Sequence, residues 1–255
     1  MKARSQRRAW LRRLAAGRAW SVSLQVIFIA LVIYLFLPRP EITRPNTTWS
    51  RTVRDRHGTL LHLSTAADGR YRLQTPLAAV SPHWIEATLA KEDRWFRWHP
   101  GVNPLALLRA AWGSTIGHPA GGASTLTMQV ARLRWGLETR TVSGKLLQVF
   151  RAIQLERHHS KDAILEAYFN LAPYGGNVEG AAAAALLWCG RDASQVTRRE
   201  SIALSVIPQS PATRHPGFPR DAGRIAAAQG RLSAILTGVR SDPLAATFTS
   251  GRLSG

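Results

Sequence analysis

The sequence predicts a mostly α-helical domain of about 200 residues that follows one membrane-spanning helix. Helix start signals recur from Thr75 onward, with no alternation of strands and helices and no internal repeat. Apolar residues make up 45% of the 255 residues, which is enough for a core and excludes a disordered protein. A single segment is apolar enough to span a bilayer, which excludes a polytopic transporter.

The membrane segment is the uncharged run Ser21–Leu37. Residues 1–20 carry seven Lys and Arg residues and no acid, so the positive-inside rule places the N-terminus in the cytoplasm and the main domain outside the inner membrane. A cleaved signal peptide is the alternative, but no small-residue cleavage site follows the run. We therefore expect a basic tail (1–20), a signal-anchor (21–37), a linker (38–50), a catalytic domain (51–240) and a C-terminal tail (241–255).

The expected elements follow from local signals. Thr52–Leu63 alternates and contains His57-Gly58, which predicts a short hairpin. Proline at a first helical position, Ser or Asn caps and a Thr197–Glu200 capping box then mark helix starts. The expected helices are one from Ser81-Pro82 through Ala90, one after Asn103-Pro104, one over 124–133, one from Ser143, one from Ser160 to near Pro173, one after Thr197 and one over 219–236.

The net charge of +19 indicates a polyanionic partner. Nucleic acid, an anionic membrane surface and a phosphate-bearing lipid substrate all fit, as does a solvated basic surface without a specific role. The bases beyond residue 20 are scattered, and a domain outside the membrane argues against nucleic acid. The single cysteine, Cys189, excludes an intrachain disulfide and is expected to be buried. His158-His159 has poor metal-ligand spacing, so no protein metal site is expected.

The segment KEDRWFRWHPG (91–101) is the first candidate site. A carboxyl group among aromatic side chains is desolvated, and desolvation raises its pKa toward the range useful for acid–base catalysis. Glu92 and Asp93 point about 100° apart on a helix, so we expect one to face a cleft and the other to orient the loop. An acidic helix end beside an aromatic core is the structural alternative.

Two further segments could hold a phosphate. GGASTLTMQVAR (121–132) combines glycines, hydroxyls and a helix start, although it could equally be an ordinary helix cap. Lys145, Gln148 and Glu156 lie on one polar helical stripe, which could bind pyrophosphate through Lys145 or simply face solvent. Asn170 and the Pro-Tyr-Gly-Gly-Asn turn after it indicate a shaped loop.

Taken in order, five segments resemble glycosyltransferase family 51, the peptidoglycan polymerase domain of class A penicillin-binding proteins and monofunctional transglycosylases. They are EDRWFRWHPG (92–101), GGASTLTMQVAR (121–132), the helix 144–156, ILEAYFNLAPYGG (164–176) and ESIALSVIPQSP (200–211). Their wording is most similar to the penicillin-binding protein 1C branch. The resemblance implies a lysozyme-like, mostly helical fold with a small jaw subdomain, and polymerisation of lipid II into β-1,4 glycan with inversion and release of undecaprenyl pyrophosphate.

The resemblance also implies roles for individual residues. Glu92 would be the general base, and Lys145 would bind the pyrophosphate. Ser124, Thr125, Gln129 and Arg132 would form the donor site. Asp93, His99, Glu156 and Asn170 would complete the substrate-binding set. The family further implies a divalent cation, Mg or Mn, held mainly by substrate pyrophosphate. The implied partners are lipid II, the growing glycan chain, the inner membrane and a separate transpeptidase, without nucleic acid.

Two departures from the family pattern qualify this prediction. Gln148 occupies the position of a second catalytic glutamate, and glutamine holds neither charge nor proton. Glu156, two turns on, could supply that charge, and Gln148→Glu should be tolerated if Gln148 only hydrogen-bonds there. The external part also has no Ser-x-x-Lys motif, which predicts a monofunctional enzyme or a fragment of a longer protein. The alternatives are a lysozyme-like lytic enzyme, an inactive membrane scaffold and a nucleic-acid-binding protein.

Overall fold

The structure, a computed structural model, describes residues 38–104 and 124–237, together with Gln25, 28–29 and 31–36. It confirms a mostly helical fold. The helices are α1 (Pro82–Glu92), α2 (Leu126–Trp135), α3 (Val142–His158), α4 (Lys161–Leu171), the short α5 (Ala181–Ala184), α6 (Arg198–Ser205) and α7 (Ala222–Thr237). A π-helical turn, Ala185–Cys189, continues α5, and 3₁₀ turns occur at Leu77–Ala79, Ala193–Gln195 and Pro219–Asp221.

Two small sheets accompany the helices. Strands β1 (Thr52–Arg54) and β2 (Leu60–Leu63) pair antiparallel, which confirms the predicted hairpin. Its turn needs Gly58, whose φ of 83° favours glycine. Strands β3 (Tyr71–Arg72) and β4 (Val178–Glu179) pair parallel and were not predicted, because each has only two residues and the pair is far apart in sequence.

The residues that cap the helices can be compared with the helix starts predicted from the sequence. Ser160 accepts a hydrogen bond from the Ala163 N–H, and the Thr197–Glu200 capping box is present, so both predictions are confirmed. The predicted start of α2 at Ser124 is wrong, since Thr125 is the capping residue. The predicted start of α3 at Ser143 is also wrong: Thr141 accepts the Gly144 N–H and caps the helix. The helix expected after Asn103 lies outside the described residues beyond Pro104.

The core is organised around α4 and α1. On α4, Ile164, Leu165 and Phe169 are fully buried, and Trp84 of α1 packs edge-on against Phe169 and Tyr174. A second, smaller cluster joins α1 to α6 and α7 through six buried residues: Ala87, Ile202, Val206, Ile225, Ala228 and Leu232. Because α1 is held on both sides, its C-terminal residue Glu92 is fixed where α1, α2, α6 and α7 meet.

Residues 1–40 and 41–255 form separate compact units. The predicted linker 38–50 is corrected from Glu41 onward, since Arg44 bonds to Glu179 and the Ser50 N–H donates to the Arg72 carbonyl at 2.7 Å. Of the predicted signal-anchor 21–37, the described positions are Gln25, 28–29 and 31–36, and all of them are helical. In the portion of the chain that the structure describes, no helix has the length and apolarity needed to cross a membrane.

Candidate active site

Glu92 ends α1 and presents its carboxylate to α2. Its Oε2 atom accepts a hydrogen bond from Gln129 Nε2 at 2.7 Å. Its Oε1 atom is shielded from solvent and has no hydrogen-bond partner among the described residues. Burial raises the pKa of Glu92, and the Gln129 hydrogen bond together with the positive charges of Lys91, Arg214 and Arg132 opposes part of that rise. One oxygen of this carboxylate is therefore held, and the other is buried without a hydrogen bond in the described part of the chain.

Asp93 turns away from Glu92 and organises the loop that follows. Its Oδ2 atom accepts from His99 Nε2 at 2.8 Å and from the Leu126 backbone N–H at 2.9 Å. Both Asp93 and His99 are buried. Asp93 thus joins the end of α1 to the start of α2, as expected of a carboxylate that orients the loop. Substrate contact by Asp93 or His99 stays a prediction.

A chain of polar contacts links α3 to the start of α2. Lys145 Nζ donates to Ser124 Oγ at 2.9 Å and to Gln148 Oε1 at 2.8 Å. Gln148 is buried, and its Nε2 donates to the Met128 carbonyl at 2.7 Å. Burial lowers the pKa of Lys145, and the positive charge of Arg132 lowers it further. Lys145 is therefore a desolvated cation beside a second cation.

Arg132 connects this chain of contacts to Glu92. It follows Gln129 by three residues on α2, so the two side chains lie side by side. Its charge acts on both Glu92 and Lys145. In the described ranges, the Arg132 guanidinium has no hydrogen bond or ion pair within the protein. The predicted residues Glu92, Gln129, Arg132, Lys145 and Ser124 thus form one continuous polar surface.

Thr125 and Glu156 bond to neighbouring segments and so hold that surface in place. Thr125 Oγ1 donates to the Gly101 carbonyl at 2.6 Å while capping α2. Glu156 Oε1 accepts from Thr127 Oγ1 at 2.5 Å and from Lys161 Nζ at 2.7 Å. The expectation that Glu156 supplies charge beside Lys145 is corrected, because its carboxylate is paired with Lys161.

Asn170 also has a supporting position. Its Oδ1 accepts from the Thr75 N–H at 2.8 Å, and its Nδ2 donates to the Thr75 carbonyl at 2.8 Å and to the Glu166 carbonyl at 2.9 Å. These bonds occupy the buried amide and fix the segment before α1 onto α4. These bonds give Asn170 a structural role, and its predicted substrate contact stays a prediction.

Gly101→Ala is expected to destabilise the loop between α1 and α2. Gly101 has a φ of +88°, and an added Cβ would lie 2.7 Å from Glu156 Cγ and 2.9 Å from the Ala152 carbonyl oxygen. The strained backbone costs about 1–2 kcal/mol before the clash with backbone is counted. Thermal unfolding should show a lower midpoint, whereas Gly69→Ala, also at positive φ but with open space around it, should show the smaller loss. Equal losses would mean that the crowding is unimportant.

Gln148→Glu is expected to lower the stability of the protein, whereas the tolerance expected from the sequence concerns activity and stays a prediction. A carboxylate would place an acceptor against the Met128 carbonyl, which the amide of Gln148 now satisfies. Charge attraction to Lys145 would offset only part of this loss. Chemical denaturation should give a destabilisation of about 1–3 kcal/mol. Gln148→Met, which has a similar length without a charged acceptor, is the matched control and should lose less.

Residues near Glu92 that the sequence did not single out are Lys91, Arg214 and Tyr168. The Tyr168 hydroxyl is buried without a hydrogen-bond partner in the described part of the chain. Burial raises its pKa, and the charge of Glu92 raises it further. Lys91 was adjacent to the predicted base and could have been noted. Arg214 and Tyr168 are remote in sequence, and nothing in their local pattern points to Glu92.

Cys189 is buried at the end of the π-helical turn, and burial raises the pKa of its thiol to about 12. The thiol is therefore unreactive at neutral pH, as expected for a packed small side chain. Among the residues whose positions the structure describes, no group of three His, Cys, Asp or Glu side chains could hold a metal ion.

Comparison with known proteins identifies the family. The sequence profile of the Transglycosylase family matches residues 58–239. Penicillin-binding protein 1C of Escherichia coli is 44% identical over 66% of this chain and 22% of its own length. Penicillin-binding protein 1A of the same organism is 36% identical over 59% of this chain and 18% of its own length. The chain thus spans about a fifth of these two relatives.

A third relative has nearly the same length as this chain. The biosynthetic peptidoglycan transglycosylase of Rhodospirillum centenum is 30% identical over 92% of this chain and 94% of its own length. Both the profile match and this full-length similarity include Glu92 and the helices around it. The chain belongs to the transglycosylase family.

Proposed function

We propose that the protein is a peptidoglycan glycosyltransferase that polymerises lipid II into β-1,4-linked glycan. The observation that carries this proposal is the carboxylate of Glu92, which lies beside the cations Arg132 and Lys145. Gln129 holds one of its oxygens, and the other has no hydrogen-bond partner among the described residues. A base next to a cationic site suits transfer from a donor whose leaving group is a pyrophosphate. Hydrolysis of glycan would need no such cations.

In the proposed reaction, Glu92 Oε1 accepts the proton of the acceptor's GlcNAc 4-hydroxyl. The hydroxyl oxygen forms a bond to the anomeric carbon of the donor, on the face opposite the leaving group. The bond from that carbon to the pyrophosphate oxygen breaks, and its electron pair leaves with undecaprenyl pyrophosphate. Lys145 and Arg132 stabilise the charge that develops there, while Ser124 and Gln148 hold the Lys145 ammonium in place.

The described residues around Lys145 offer poor ligands for the divalent cation that the family implies. The groups in contact with Lys145 are a hydroxyl and an amide, and a second cation, Arg132, lies close by. Magnesium and manganese prefer carboxylate and phosphate oxygens. These residues do not fit a protein-held metal, and the proposed proton transfer and bond exchange are carried by the chain's own residues.

The proposal includes a membrane location. The N-terminal basic tail would lie in the cytoplasm, the segment 21–37 would be a single-pass anchor, and the lysozyme-like domain with its jaw would be extracytoplasmic. An apolar face of α3 supports this location, since Val142, Leu146 and Phe150 recur at intervals of four residues and are exposed. Cross-linking of the product would fall to a separate transpeptidase.

The test is polymerisation of lipid II by the detergent-solubilised full chain, with and without magnesium. Formation of long glycan from lipid II would support the proposal. Shortening of purified glycan strands would instead support the lytic alternative. Absence of both activities in a folded sample would favour an inactive scaffold.

A further inference from the structure

Two arginines stack on one tryptophan at the C-terminal end of α2. The guanidinium carbon of Arg134 lies 5.2 Å from the centroid of the Trp135 ring. The guanidinium carbon of Arg151, from α3, lies 4.9 Å from the same centroid. All three side chains are partly exposed. Each cation is attracted to the ring and repelled by the other cation. We call Arg134, Trp135 and Arg151 the Arg–Trp–Arg cluster.

The charges of the Arg–Trp–Arg cluster are not neutralised by direct pairing. Neither Arg134 nor Arg151 forms an ion pair within the described residues. Arg134 Nε donates to the Glu41 backbone carbonyl at 2.9 Å, and Arg151 Nη1 donates to Gln154 Oε1 at 2.7 Å, so both acceptors are uncharged. Arg151 Nε is shielded from solvent and has no hydrogen-bond partner in that part of the chain. Adjacent guanidinium groups without a carboxylate partner favour binding of an external anion.

A third cation lies close to the same end of α2. Arg44 Nε donates to the Leu133 carbonyl at 2.9 Å, and its guanidinium is paired with a buried carboxylate. Burial lowers the pKa of Arg134, and the charge of Glu41 opposes that effect, whereas the charges of Arg151 and Arg44 lower the pKa further. The cations around Arg134 therefore outnumber Glu41.

The Arg–Trp–Arg cluster borders the exposed apolar face of α3. The guanidinium carbon of Arg151 lies 5.9 Å from the centroid of the Phe150 ring. On this face, Val142, Leu146 and Phe150 are 79%, 64% and 39% exposed. A stripe of exposed apolar side chains that ends in tryptophan and arginine is typical of a surface in the interface of a bilayer. There the rings lie at the depth of the headgroups, and the cations reach the phosphates.

The same end of α2 receives the chain from its N-terminal segment. Glu41, whose carbonyl bonds to Arg134, is the first residue of the main compact unit. It follows the expected signal-anchor, 21–37, by four residues. A membrane-spanning segment 21–37 would therefore hold Glu41, and with it the Arg–Trp–Arg cluster, close to the lipid headgroups.

We propose that Arg134 and Arg151 bind the phosphate of an anionic phospholipid in the membrane that holds the anchor. This inference rests on the membrane location in the proposed function and adds a lipid site to it. Guanidinium groups hold a phosphodiester through paired N–H donors, and the acyl chains would lie against the apolar face of α3. A zwitterionic headgroup would bring an ammonium group against two cations and bind less tightly.

The experiment measures lipid binding by the full chain in an uncharged detergent. Phosphatidylglycerol, phosphatidylcholine and undecaprenyl pyrophosphate are titrated separately, and native mass spectrometry counts the bound lipids. The wild type is expected to bind phosphatidylglycerol about tenfold more tightly than phosphatidylcholine. Arg134→Gln and Arg151→Gln should each weaken phosphatidylglycerol binding about tenfold. Inorganic phosphate at the same concentration should not displace the lipid, because it lacks the acyl chains.

Two further variants separate charge at this site from charge elsewhere. Arg198→Gln removes the same charge from an exposed position at the first residue of α6 and should bind phosphatidylglycerol as the wild type does. Arg151→Lys keeps the charge and should retain more binding than Arg151→Gln. Thermal unfolding in lipid-free detergent checks that each variant is folded.

Three outcomes would overturn the proposal. Equal phosphatidylglycerol binding by the wild type, Arg134→Gln and Arg151→Gln would show that these arginines do not contact the lipid. Loss of undecaprenyl pyrophosphate binding alone in the two variants would assign the arginines to the substrate. Displacement of phosphatidylglycerol by equal concentrations of inorganic phosphate would show an anion site that does not recognise a lipid.

Turnover measured on the same samples keeps this test independent of the proposed function. Arg151→Gln should polymerise lipid II at the wild-type rate in detergent without phosphatidylglycerol. A wild type that binds phosphatidylglycerol through Arg151 but forms no glycan would contradict the proposed function and leave the lipid site supported. Glycan formation by a wild type that does not prefer phosphatidylglycerol would contradict the lipid site alone.

Discussion

Glu92→Gln is expected to reduce polymerisation of lipid II by a factor of about 10²–10⁴ or more, the range that general-base catalysis supplies. A glutamine side chain can still accept the hydrogen bond from Gln129, so the geometry at Oε2 is retained. It cannot take the proton of the attacking hydroxyl. The measurement is glycan formation by the full chain, compared with the wild type at the same detergent and magnesium concentrations.

The same substitution should leave the protein as stable as the wild type or more stable. Burial raises the pKa of Glu92 in the folded state, so ionising it above the unfolded pKa costs stability at neutral pH. Glutamine removes that cost. Thermal unfolding at pH 7 should therefore show an equal or higher midpoint for Glu92→Gln, and this advantage should disappear as the pH falls to where the wild-type carboxyl is protonated.

The raised pKa also sets the acid limb of the rate profile. The wild-type rate should fall as the pH decreases through a pKa above that of an ordinary glutamate, because protonated Glu92 is not a base. Lys91→Gln removes one of the positive charges that lower this pKa, so it should move the acid limb to higher pH. Polymerisation by Glu92→Gln at more than a few per cent of the wild-type rate would mean that another group is the base.

The sequence was sufficient for features that depend on neighbouring residues. The Thr197–Glu200 box, the Ser160 cap and the His57-Gly58 turn each carry their partners within a few positions, and all three are confirmed. The roles expected for Glu92, Lys145 and the donor-site residues between them came from a family resemblance. The hydrogen bonds and burial of these residues depend on how α2 packs against α3.

Features that depend on tertiary packing were missed or misassigned. Asn170 was grouped with the loop that follows it, yet it lies in α4 and its amide bonds to Thr75, ninety-five positions away. Glu156 lies on the stripe of Lys145, but Lys161 from the next helix takes its charge. In each case the partner decides the role, and the partner is not visible in local spacing.

Glu179→Gln is expected to destabilise the protein by about 3–5 kcal/mol, the largest stability effect of the changes considered. Glu179 on β4 is buried, and its carboxylate accepts from Arg72 Nε at 2.8 Å, Arg70 Nη1 at 3.0 Å and Arg44 Nη1 at 3.1 Å. Arg72 is as buried as Glu179, with a side chain only 3% exposed. Removing the carboxylate charge leaves that guanidinium with Asp68 as its remaining acidic partner, and Asp68 is itself about half exposed.

The measurement is the thermal unfolding midpoint, which should fall by roughly 6–20 °C for a domain of this size. Asp162→Asn is the matched control, because it neutralises an acid paired with Arg97 in which both side chains are largely exposed. Exposed pairs contribute about 0.2–1 kcal/mol, so its midpoint should change little. Glu179 joins the segment around Arg44 to β3 and β4. The backbone amides of residues 41–50 should therefore exchange their hydrogens faster in Glu179→Gln than in the wild type. A small effect on both readouts would mean that the three arginines find water or other acceptors at little cost, and that the segment is held by its backbone contacts alone.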